Sequence, residues 1–89
     1  MASNLTADDL QDPLAVSVAR ALAAANRSAR DAGVEIGDAL INITQLVIDG
    51  ELMWRVNYGP RDYVGRRGGD VIVDVDPRDA RVTRMLRGQ

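Results

Sequence analysis

Residues 40–58 read Leu-Ile-Asn-Ile-Thr-Gln-Leu-Val-Ile-Asp-Gly-Glu-Leu-Met-Trp-Arg-Val-Asn-Tyr. Asp49-Gly50 separates two apolar, β-branched-rich runs, and this dipeptide tolerates the positive φ that both central positions of a two-residue hairpin turn require. Counting from the turn gives the register: Ile48 faces Glu51, Val47 faces Leu52, Gln45 faces Trp54, Ile43 faces Val56 and Ile41 faces Tyr58. Because side chains alternate across a strand, Ile41, Ile43, Gln45, Val47, Leu52, Trp54, Val56 and Tyr58 share one face. It is apolar except for Gln45 and carries two of the chain's three aromatic residues, so it is expected to be the core face. The opposite face interleaves Leu40, Leu46, Ile48 and Met53 with Asn42, Thr44, Arg55 and Asn57. Leu40, Leu46, Ile48, Met53 and Arg55 read either as scattered surface residues or as an interface with a second copy or another protein.

Upstream, residues 1–11 carry no strong periodicity and are expected to form a flexible arm, although Thr6 and Asp9 are spaced to cap one helical turn. A helix is bounded on both sides: Asp12 is placed as N-cap, Pro13 as first helical residue and Gly33 just past the end at Ala32. Leu14, Val18, Leu22, Ala25, Ala29 and Ala32 recur at spacings of three and four and mark its expected apolar stripe. Val34–Asp38 is a short connector. Downstream of the hairpin, residues 59–69 are dominated by Gly and Arg and read as a loop. Asp70–Asp76 then reads as a strand, Pro77–Ala80 as a turn and Arg81–Leu86 as a closing strand. Pairing Asp76 with Arg81 places Val75 opposite Val82, Asp74 opposite Thr83, Val73 opposite Arg84 and Val71 opposite Leu86. Residues 12–89 thus predict a single α+β domain, one N-terminal helix packed on a four-stranded antiparallel meander.

Composition bounds the chemistry. Eighty-nine residues make one domain, burying about 60% of the unfolded surface. The net charge of −2 is uneven: residues 1–49 hold three Arg against seven acids, residues 50–89 eight Arg against six. With an isoelectric point near 4.9, a nucleic-acid partner is disfavoured. The chain has no Cys, His, Lys or Phe. Imidazole and thiolate metal sites, Ser-His and Cys-His nucleophile pairs, Schiff-base lysines and the phosphate-loop lysine are all excluded. No cofactor is expected, and the chain reads as a non-enzyme. An acidic N-terminus and the lack of an apolar run near the ~20 residues that span a bilayer predict a cytoplasmic protein with no membrane partner. A mature secreted fragment would read the same.

The Ala-rich helix, Trp54-Arg55-Val56, Val73-Asp74-Val75-Asp76 and Val82 together resemble the PepSY-like domains of bacteria over most of residues 13–86. The resemblance implies a helix laid on an antiparallel sheet and a role in inhibiting peptidases or binding ligands. Small bacterial immunity proteins share the same helix-then-sheet rhythm.

Within the 59–69 loop, Arg61, Arg66 and Arg67 offer bidentate donors beside Gly-rich backbone, a combination that suits a phosphate or carboxylate. Tyr63 is an aromatic placed beside those cations, suited either to a protein or nucleic-acid contact or to pinning the loop down. Asp74 and Asp76 lie on one side of their strand, as a hard cation would require, but Arg81 and turn chemistry account for them more simply. The favoured expectation is a non-catalytic protein-interaction or ligand-binding module that self-associates through its sheet. The alternatives are an anion or nucleic-acid binder using the loop, or a small immunity or inhibitor protein.

Overall fold

A computed structural model describes residues 3–60 and 70–88 of the chain. A 3-10 turn at Asp9–Gln11 precedes helix α1, Pro13–Asp31, and a second 3-10 turn at Ile36–Asp38 leads into the strands. These are β1, Ala39–Ile48; β2, Glu51–Pro60; β3, Val71–Asp76; and β4, Arg81–Arg87. They form one antiparallel sheet in the order β1-β2-β3-β4, with α1 on one face: the α+β meander expected from the sequence.

Local chemistry fixes each end of α1. The Ala15 N–H donates to Asp12 Oδ2 at 2.9 Å, occupying one donor that the first turn leaves unpaired, and Pro13 supplies a preset φ. At the other end Gly33 adopts φ +92°, which lets its N–H reach the Arg30 carbonyl and the Val34 N–H reach the Ala29 carbonyl, each at 2.9 Å. Arg87, at the end of β4, donates to the Ala32 carbonyl, bringing a cation to the negative end of the helix. In the arm, Thr6 and Asp9 close a reciprocal box: the Thr6 N–H donates to Asp9 Oδ2 at 2.9 Å and the Asp9 N–H to Thr6 Oγ1 at 3.2 Å.

The β1–β2 register is the one counted from the turn, with Asp49 at φ 52° and Gly50 at φ 81°. Its expected core face is only half covered. Trp54, Val56 and Tyr58 of β2 are buried, whereas Ile43, Val47 and Leu52 are 40%, 62% and 54% exposed and Gln45 is also exposed. The reason is width. A helix ~10–12 Å across spans two to three strands ~4.8 Å apart. Here α1 lies over β3 with β2 and β4 at its flanks, leaving most of β1 outside its footprint.

Three other expectations are corrected. The buried stripe of α1 is Ala21, Ala25 and Ala29, with Val18 and Leu22 packed beside it, and Leu14 in the first turn is 58% exposed. Gly59 and Pro60 belong to β2, so the strand runs two residues further than expected. Finally, a bulge between Asp74 and Val75 shifts the β3–β4 register: Asp76 faces Arg81 and Val75 faces Val82, but Asp74 then faces Arg84, Val73 faces Met85 and Val71 faces Arg87. Thr83 is the extra residue, and its hydroxyl donates to the Asp74 carbonyl at 3.3 Å. The simple register would place Arg84 on the helix side of the sheet. One extra residue turns it to the outer face and puts Met85, still 46% exposed, on the helix side.

Candidate interaction surface

On the helix side, polar contacts set α1 against β2. Trp54 Nε1–H donates to Ser17 Oγ at 3.0 Å and the Tyr58 hydroxyl to Asn26 Oδ1 at 2.6 Å. Four residues along a strand and nine along a helix both span about 13.5 Å, so the two bonds hold α1 alongside β2 in the same direction. Burial pushes the Tyr58 hydroxyl up to about 12, against a smaller downward pull from Arg30.

The outer face is crossed by a row of charge. Asp74 is 1% exposed although none of the described elements lies over it, and Arg55 closes above it. Arg55 Nε and Nη2 donate to Asp74 Oδ1 and Oδ2 at 2.7 and 2.9 Å, a bidentate pair, and Asp74's hydrogen bond holds the guanidinium above its ordinary value. Asp76 accepts from the Arg78 backbone N–H at 2.8 Å and from its guanidinium at 3.1 and 2.7 Å, while Arg78 also reaches Glu51 at 3.5 Å. Those bonds hold the Asp76 carboxyl down to about 2. Arg81 faces Asp76 in the register, but it is Arg78 that pairs with it, because the Asp-Pro turn folds the following residue back over the carboxylate.

Both buried carboxylates of the outer face are thus committed to arginines. Among the described residues no group of three or more acidic side chains converges as a metal site would require. A shallow cleft of about 350 Å³ lies between α1 and the start of β4, lined by Ala23, Ala24, Arg27, Ser28, Ala80 and Val82. It offers one cation and one hydroxyl, and nothing that would hold a reacting group.

The sequence-derived interface residues sit together on the outer face: Leu40 is exposed, while Leu46, Ile48, Met53 and Arg55 are partly buried. Arg55 is occupied by Asp74 and is part of the sheet's own support. Arg61, Tyr63, Arg66 and Arg67 lie outside the described residues. What the sequence reading missed is how little of β1 the helix covers: its side chains from Asn42 to Gln45 are exposed on both faces, and it forms one edge of the sheet. The signal was present in the count of one helix to four strands. No helix among the described residues is long and apolar enough to cross a membrane. In comparison with known proteins, the chain matches no family model, no curated protein and no solved structure.

Proposed function

We propose that this chain is a non-catalytic protein-interaction module that works through the part of its sheet that α1 leaves uncovered. The observation that carries this reading is β1, a ten-residue strand with Ile43 and Val47 exposed on the helix side, Leu40 exposed on the other and an open edge. A long, flat, apolar edge is a template for pairing with another chain unless it is covered. The missing His, Cys and Lys and the arginine-bound carboxylates support the non-catalytic half of the reading. The PepSY-like resemblance belongs to the same reading, as a helix-on-sheet scaffold that binds rather than transforms.

The experiment is solution mass by light scattering over a concentration series at low and high salt. Association that survives high salt is expected, because apolar burial and main-chain pairing are insensitive to screening. Association abolished by salt would overturn the reading in favour of the arginine-rich loop, and a monomer throughout would remove self-association from it.

A further inference from the structure

We infer that the partner of β1 is β1 of a second copy, paired antiparallel about a two-fold axis beside Thr44 to make one continuous eight-stranded sheet; this rests on the interaction reading above and specifies its partner. The turn decides which groups are available. In a two-residue hairpin closed by Ile48 and Glu51, the closing pair is hydrogen-bonded, so Leu40, Asn42, Thr44, Leu46 and Ile48 direct N–H and C=O toward β2. Ile41, Ile43, Gln45 and Val47 direct theirs outward, over a run in which the chain never leaves extended geometry.

Charge selects the occupant. In a two-fold contact every side chain meets the same surface of its copy, so a charged edge repels itself. β1 contains no Asp, Glu, Lys, Arg or Pro over its ten residues, whereas β4, the opposite edge, carries Arg81, Arg84 and Arg87. The arginines keep β4 from pairing with another β4, and among the described residues β1 carries none of the charges, prolines or bulges that blunt an edge.

The register that overlaps residues 40–48 fully places Thr44 opposite Thr44 of the copy. Ile41 then meets Val47, Leu40 meets Ile48 and Ile43 meets Gln45, and the outward groups supply about eight main-chain hydrogen bonds. The axis stands perpendicular to the sheet, so both helices lie on one face. The two strips that α1 leaves bare become neighbours between them, packing Ile41 against Val47 in place of water.

The test uses the absence of cysteine from the chain. Thr44 occupies a non-hydrogen-bonded position across the new junction, where Cα atoms approach to about 4.5 Å, within the range a disulfide spans. Under mild oxidation Thr44→Cys is expected to give a covalent dimer at least about tenfold faster than Thr83→Cys on the opposite edge, because pairing raises the local thiol concentration. Gln45→Pro removes an N–H that the monomer does not use and is expected to shift the protein to a monomer while Trp54 fluorescence stays native. Met53→Glu, on the outer face, is expected to leave the dimer intact. If the wild type associates but Thr44→Cys links no faster than Thr83→Cys, or Met53→Glu dissociates it, edge pairing is wrong and association through the outer face stands. A wild type that is monomeric at every concentration would overturn the self-association reading itself.

Discussion

The Arg55–Asp74 pair shows how an open sheet face acquires a buried charge. Asp74 is sealed by the guanidinium above it, so removing Arg55 strips the carboxylate of its bidentate partner and opens it to water. Breaking a fully buried pair costs ~3–5 kcal/mol; Arg55 is partly open to solvent, and Arg55→Ala is expected to cost about 2 kcal/mol in urea unfolding. The double variant with Asp74→Ala should recover part of that loss, because no unpaired charge remains. A single variant as stable as wild type would mean the pair is ornamental. For Asp76 the sign follows from its lowered pKa. A carboxyl held down to about 2 when folded, against 3.8 ordinarily, contributes stability that is fully present above pH 4 and is lost as pH falls through 2. Asp76→Asn should flatten that part of the acid unfolding curve. Tyr58 has the opposite sign: its hydroxyl is raised to about 12, so its contribution holds below pH 10 and disappears as pH rises through 12, measurable as late phenolate absorbance.

The turns and the bulge decide which side chains meet, and they differ in how far the sequence discloses them. Asp49-Gly50 fixes both loop length and φ, so the whole β1–β2 ladder could be counted from it. Ala80 sits at φ 56° with no glycine to announce the conformation. Ala80→Gly is therefore expected to stabilise the protein by about 0.5–1 kcal/mol, checked by its unfolding midpoint, with some of the gain offset by lost packing against the core. The Thr83 bulge carried one trace in the sequence, an arginine assigned to the core face opposite Val73, and nothing there said which residue would be extra. Deleting Thr83 should turn Arg84 inward and abolish cooperative unfolding, whereas Thr83→Ala should cost far less; equal effects would mean that the bulge does not set the register. The Arg55–Asp74 pair was illegible because it depends on the β2–β3 register. The long connection between those strands does not fix a register as a two-residue turn does. Trp54 and Tyr58 were legible as core residues from their shared face, while Ser17 and Asn26 as their partners needed the direction of α1 across the sheet.

Taken whole, the molecule is a slab 43 × 38 × 21 Å, a single helix on a sheet too wide for it. Amide exchange should show the imbalance. Protection is expected to be highest in β2 and β3, paired on both sides, and to alternate along β1, with Asn42, Thr44 and Leu46 slow and Ile43, Gln45 and Val47 fast at low concentration. Raising the concentration should slow the fast set selectively; uniform protection along β1 in dilute solution would contradict the open edge. The order of the strands along the sheet is also the order of their synthesis, since β1, β2, β3 and β4 are neighbours in sequence and in space. Such a topology needs little long-range searching and is suited to rapid folding. Helix α1 is synthesised before the strands and must wait for β2 and β3 before it can dock, and during that interval the centre of its docking face presents the small side chains Ala21, Ala25 and Ala29, flanked by Val18 and Leu22. The most adhesive segment, β1, is followed at once by the partner strand that its own two-residue turn delivers. A nascent chain built in this order keeps its bulky apolar surface unpaired for the shortest time the topology allows.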